Sequence, residues 1–179
     1  EVKEKNGILI YIFMDDHVRR TIGSSSSMSW KSRDAYYRKA KSGRLIRAGS
    51  FLTGRPFLTS IYRILSKSRI LKVLDIGFPL RIRDPHIKLV AQTIQQMKQG
   101  FNARYPRGEF YVLIYPGSRF GERLIDYLNE MEVRYLDYAH LFFNNDPRFC
   151  LAREDSHPSA LAYKTIAQKI VEDLKLDAR

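Results

Sequence analysis

Two stretches limit what this chain can become: GILIYIFM at 7–14 and EFYVLIYPG at 109–117. Each is apolar at nearly every position rather than at every second one, and each is rich in β-branched and aromatic residues. A strand that alternates has one wet face. A strand that is apolar throughout is buried on both faces, as in a parallel sheet covered by helices. A third strand is expected in VRYLDYAHLF, 133–142.

Between and after these runs the period changes to that of helices. Asp84-Pro85 reads as a helix start, with Asp as cap and Pro at the first position. Ile87, Val90, Ile94, Met97 and Phe101 follow at steps of three and four as a core stripe. GERLIDYLNEME places Leu124, Ile125, Leu128 and Met131 on one helical face, and a last helix is expected to bury Ile166, Ala167, Ile170, Val171 and Leu174. The order strand, long insertion, helix, strand, helix, strand, loop, helix argues for an α/β domain with a parallel sheet and helical crossovers. The reading is one domain over 1–179. Three strands are few for such a sheet, and the chain enters a strand almost at once. Both points suggest an α/β domain incomplete at its N-terminus, a piece of a longer protein.

Net positive charge is confined to the insertion. From Arg19 to Arg83 there are 16 Lys or Arg against two acids, a net of +14, whereas the whole chain carries +12. A basic segment of this kind is either a solvated face or a contact for something anionic: a membrane surface, an acidic glycan or nucleic acid. Within it GSSSSMSW reads as a flexible loop, YYRKAKSGRLIRAGSF as a short hairpin around Ser42-Gly43, and 57–74 as a basic amphipathic helix running at least to about Ser68. Trp30, Tyr36, Tyr37 and Phe51 stand among the cations, as stacking platforms would or simply as packing for the insertion. Hydrophobic residues make up 44% of the chain, enough for a folded core, and no apolar run reaches transmembrane length. The single cysteine, Cys150, excludes an internal disulfide and leaves the compartment open. One cysteine and four scattered histidines give no metal-ligand spacing, and there is no phosphate-cradling glycine loop.

The stretch that carries chemistry is EDSHPSALAYKTIAQKI, 154–170. Pro158 suits the first position of the last helix, which places His157 at or beside the cap, with Ser156 or Ser159 to satisfy the free amides. Two readings of Asp155-Ser156-His157-Pro158 stand level on spacing alone. One is a capped helix with acids at its positive end. The other is a hydrolase base and its orienter: a carboxylate just before a histidine accepts from Nδ1, fixes the tautomer and leaves Nε2 for a nucleophile's proton. A weaker site is Pro116-Gly117-Ser118, a strand-to-helix turn with the outline of a nucleophile elbow, although an ordinary loop is the commoner meaning of such a turn.

This order of elements, ending in D-x-H-P and an amphipathic helix, resembles the C-terminal half of the SGNH/GDSL hydrolase family. The resemblance implies a flavodoxin-like, three-layer α/β/α fold and a Ser-His-Asp triad. His157 matches the family's base, with Asp155 as its acid and Glu154 in reserve. ILIYIFMDDHVRR is similar to the third block, which usually ends in an Asn that helps bind the oxyanion. Here Asp15, Asp16 and His17 stand instead, and His17 is the residue able to donate a hydrogen bond. The family's Gly-Asp-Ser block and the glycine of its second block are absent, so the resemblance implies a nucleophile outside this chain, with Ser118 the one internal substitute. It implies an esterase or acyltransferase acting without a cofactor on an ester such as an acylated carbohydrate or lipid. The sheet would be completed by an upstream segment or a second chain. The competing expectation is a non-catalytic module that docks an anionic polymer or membrane surface through the insertion.

Overall fold

The computed structural model describes residues 7–41, 43–74, 76–142, 146–152 and 155–176, with 152, 155 and 156 described by their backbone alone. Strand β1 (Ile8–Phe13) leads into α1 (Asp15–Ile22), and the insertion follows. Its elements are α2 (Met28–Lys31), β2 (Ala35–Lys39), β3 (Leu45–Ser50), α3 (Phe51–Gly54), α4 (Pro56–Leu65) and α5 (Arg69–Val73). The chain then runs through α6 (Asp84–Arg104), β4 (Glu109–Ile114), α7 (Gly121–Glu130) and β5 (Tyr135–Asp137). A hairpin of β6 (Cys150–Ala152) and β7 (Asp155–Pro158) precedes the closing helix α8 (Ala160–Leu174).

The three apolar runs form one parallel sheet in the order β1-β4-β5, with Ile8 opposite Glu109 and Val112 opposite Tyr135. Helices cover both of its faces. Phe110, Val112 and Ile114 of β4 join Phe13, Ile87, Val90, Ile94, Leu124 and Leu128 in the larger cluster, against α6 and α7. Leu113, on the opposite face, packs with Tyr138, Phe142, Ala162 and Ile166 against α8. This is why β4 is apolar at successive positions: both faces are dry. Gly121 opens α7 because a Cβ there would stand 2.7 Å from Ile114 Cγ2. Helix and strand approach too closely for any side chain at that point.

Among the described residues β1 pairs with β4 alone, so its other edge carries no strand. Leu9 and Ile12 of β1, and Met14 just after it, are each more than a third exposed. An apolar strand with an open edge is a template for a further strand.

Several expectations shift. Arg83, not Asp84, caps α6, and its N–H donates to His86 Nδ1 at 3.2 Å. Asp84 is free to take the Arg123 guanidinium of α7 at 2.6 Å, an inter-helix tie. Within the α6 stripe Met97 is 38% exposed, while Phe101 packs on Phe110 and Tyr105. At α8 the cap is Ser159, one of the two serines expected to satisfy the free amides, with Oγ accepting from Ala162 N at 3.3 Å, but Pro158 belongs to β7 rather than to the helix. The buried stripe therefore runs through Ala162 and Ile166 with Ile170 beside them, and Ala167 faces water.

The insertion departs most. The expected helix over 57–74 breaks between Leu65 and Arg69, where Ser68 caps a second short helix by accepting from Leu71 N. Its apolar side is not a core face: Phe57 is 79% and Ile64 71% exposed. The inward side is carried by Thr59, fully buried and donating to Phe51 O at 2.7 Å. The hairpin is present, with Gly43 at φ +82° and Ser42 outside the described residues. Tyr36, Phe51 and Tyr62 surround the Arg55 guanidinium, which also donates to Gly23 O and so ties α4 to the end of α1. These aromatics pack the insertion. Trp30 is 57% exposed, between Arg20 and Lys31. The serine run is not loose: Ser24, Ser25 and Ser27 are buried, and Ser25 and Phe78 exchange two hydrogen bonds of 2.8 Å. Short hydroxyls satisfy the turn's own backbone, which makes it rigid.

Candidate functional site

In parallel sheets ligands sit outside the carboxyl ends of the strands. Here those ends are laced together. Asp15, just past β1, accepts from Ser118 Oγ at 2.6 Å, Arg119 N at 3.0 Å and Phe120 N at 3.3 Å, all in the loop between β4 and α7. Gly117, at φ +75°, donates from its amide to Ala139 O beyond β5 at 2.8 Å. The three loops at this end of the sheet are therefore one connected platform.

This geometry gives Ser118 a structural task. Its hydroxyl proton is directed at a carboxylate that already accepts from two amides of the same loop. Removing the carboxylate leaves three donors unsatisfied in a partly buried loop. Asp15→Ala is expected to lower stability by about 1–3 kcal/mol in urea unfolding, with Ser118→Ala costing less. Equal stability of Asp15→Ala and the parent would show the tie to be slack.

His17 lies on α1 and folds back on the sheet. Its Nδ1 is 2.9 Å from the Tyr11 hydroxyl and its ring meets the edge of Phe13. Burial, then the nearby Arg20 charge, holds its pKa below the ordinary value, while burial pushes Tyr11 up to about 12. The phenol thus keeps its proton. When Tyr11 donates to Nδ1 the ring proton sits on Nε2; the reverse bond, from Nδ1–H to the phenol oxygen, fits the same 2.9 Å. Burial, then the Arg83 charge, also lowers His86. Both imidazoles titrate below the unfolded value of 6.5, so the unfolded chain takes their protons first. Their contribution to stability is complete above pH 6.5 and is lost as pH falls through the lowered midpoints. Imidazole NMR titration should find both midpoints below 6.5, and His17→Gln/His86→Gln should flatten this part of the pH–stability curve. A His17 midpoint above 6.5 would refute the buried, neutral assignment.

His157 lies in strand β7, exposed, rather than at a helix cap. Its hairpin is docked by Ser159, which donates from N to Phe149 O at 2.9 Å and from Oγ to Arg148 O at 2.7 Å. Phe149 stacks on Phe142 at 4.2 Å, and Phe142 meets Tyr115, the residue after β4, edge-on at 6.2 Å. The hairpin is thereby held at the carboxyl end of the sheet. Glu154 and the side chain of Asp155 lie outside the described residues. The described contacts of His17 are with Tyr11 and Phe13 in the α6/α7 layer, whereas the anchor of the His157 hairpin belongs to the α8 layer.

The same end of the sheet opens a cleft of about 570 Å³ between α1, the serine turn, the α4–α5 junction and the β4–α7 loop. Asp15, Asp16, Arg19, Ser25, Lys72 and Arg119 are among its lining residues. Sequence reasoning missed it, although a run of serines between two basic stretches was its visible trace. Among the described residues no group of three or more His, Cys, Asp or Glu could hold a metal, and no helix is long and apolar enough to cross a membrane. Comparison with protein-family models, with curated proteins and with solved structures gives no significant match.

Proposed function

We propose that this chain is the base-bearing part of an SGNH/GDSL-type serine esterase or acyltransferase with a flavodoxin-like sheet. The observation that carries the reading is the place of His157, which follows the last parallel strand and precedes the closing helix, in a hairpin docked at the carboxyl end of the sheet. Positions 155 and 157 both belong to β7. The open edge of β1 supports it further, since the family places its first strand, with the serine, beside this one.

In this mechanism the serine, on an upstream segment or a second chain, attacks the ester carbonyl and transfers its proton to His157 Nε2. Asp155, with Glu154 in reserve, holds Nδ1–H and stabilises the imidazolium. Collapse expels the alcohol, which takes the proton from His157, and leaves an acyl-enzyme. Water or an acceptor alcohol then gives its proton to His157 as it attacks the acyl carbon, and His157 returns that proton to the departing serine oxygen. No cofactor takes part. A fluorophosphonate probe tests the reading: the full-length protein should be labelled at one serine, and His157→Ala should abolish labelling. Absence of labelling in the folded protein would reject it.

A second reading rests on a different observation. Phe57, Ile64, Ile70, Val73 and Leu74 are each at least 60% exposed on α4, α5 and the following turn, within a segment of net charge +14. Exposed apolar side chains set among cations match an anionic membrane surface better than a glycan or nucleic acid, which offer no apolar phase. Co-sedimentation with phosphatidylserine vesicles, lost in Ile64→Asp/Val73→Asp and without probe labelling, would favour this module over the enzyme.

A further inference from the structure

We infer that the cleft at the end of β1 is a binding site for a tetrahedral oxyanion, the phosphate or sulfate group of a larger ligand. Its carboxylates are both engaged. Asp15 is held by three donors of the β4–α7 loop, and Asp16 is paired with Arg20. The cations are not. Among the described residues the side chains of Arg19, Lys72 and Arg119 make no hydrogen bond or ion pair, although all three line the cleft and Arg19 is half-buried. A guanidinium partly shielded from water and holding no acceptor of its own is well placed to take an anion.

The hydroxyls complete the set. Ser25 is 3% exposed and lines the cleft, and its Oγ accepts the Phe78 amide at 2.8 Å. Its own proton has no acceptor among the described residues, so a buried donor remains available at the cleft wall. Ser29 lines the cleft with no described partner for its hydroxyl. Three cations with hydroxyl donors are the composition that recognises phosphate or sulfate, and the two carboxylates of the lining, Asp15 and Asp16, are turned to partners of their own. A volume near 570 Å³ exceeds that of the ion itself, and Leu65, Leu71, Ile76 and Phe120 line the remainder. The anion is thus one end of a ligand whose other end is less polar.

The inference goes beyond ester chemistry and does not depend on it, since binding is read without turnover. The experiment is titration of the ¹⁵N-labelled chain with inorganic phosphate, inorganic sulfate and, as a control for ionic strength, sodium chloride. Phosphate or sulfate should shift the amides of Ser25–Ser29 and Arg119 saturably, and chloride should not. Arg19→Gln and Arg119→Gln should each weaken binding about tenfold, the usual effect of losing a charge-assisted hydrogen bond. Arg38→Gln and Arg47→Gln, on the hairpin and away from the cleft lining, remove the same charge and should leave binding unchanged. Tighter binding of phosphate than of sulfate assigns a phosphoryl ligand, and the reverse a sulfated one. Equal weakening by the hairpin variants, or shifts that chloride reproduces, would overturn the site in favour of general basicity. Thermal melting of each variant establishes that it is folded.

Discussion

Replacing His157 with alanine in the full-length protein is expected to lower ester turnover by about 10⁴-fold or more, the scale of loss when a triad base is removed. The size follows from the chemistry. Without an acceptor the serine stays a neutral alcohol, and the leaving alkoxide has no proton to collect. Asp155→Asn should cost nearly as much, because an amide cannot stabilise the imidazolium or enforce the same tautomer. Glu154→Gln should cost far less, and the reverse ranking would move the acid's role to Glu154. Stability should hardly change in His157→Ala, since the residue is exposed in β7 and the hairpin is anchored elsewhere, through Ser159 and Phe149. Steady-state kinetics on a chromogenic ester, beside urea unfolding, separates these effects. Unchanged turnover in His157→Ala would leave the hairpin a purely structural lead-in to α8.

The second large effect concerns the core. Phe13 is fully buried at the end of β1, in the cluster shared by α6, β4 and α7. Phe13→Ala should cost about 3–5 kcal/mol, the usual range for emptying a packed aromatic site, against a total of about 5–15 kcal/mol for a domain. Phe57→Ala, at a side chain 79% exposed, should stay within about 0.5 kcal/mol. Because Phe13 packs on the His17 ring, its loss should also raise the His17 midpoint towards the unfolded value. Unfolding midpoints for the two alanine variants, with the His17 titration, check all three statements. A larger loss at Phe57 than at Phe13 would mean that α4 packs where the structure leaves it bare.

The contrast shows which parts of the fold were legible in the sequence. The parallel strands announce themselves because burial on both faces needs apolar residues in succession, as in β4. The stripes of α6 and α7 follow from helical period, and Gly43 betrays the hairpin through the left-handed conformation it adopts. What failed did so for physical reasons. An amphipathic pattern in 57–74 predicts a buried apolar face only if something covers it, and there Thr59 faces inward instead. Serines read as loose can equally lock a turn by bonding its backbone. The cap of α6 moved one residue back, to Arg83, and Asp84 pairs with Arg123 instead, whereas the cap of α8 is Ser159, one of the two serines expected to satisfy its amides. At the candidate site His157 was visible from its neighbours in sequence. The tie of Asp15 to Ser118, 103 residues away, was not, since no local pattern encodes it.

Strand β4 has a further consequence for how the chain avoids wrong structures. Its residues feed two unlike compartments in strict alternation, Phe110, Val112 and Ile114 into one and Leu113 into the other. A slip by a single residue would exchange their contents and drive Tyr111, whose hydroxyl donates to Glu109, into the larger compartment. The same slip would misalign β4 against β1 and β5 together, since it is paired on both sides. One misthreading is therefore penalised three times over: in each compartment, at both seams, and in a stranded phenol. The middle strand acts as the chain's proofreader, and the sheet has a single way to assemble around it.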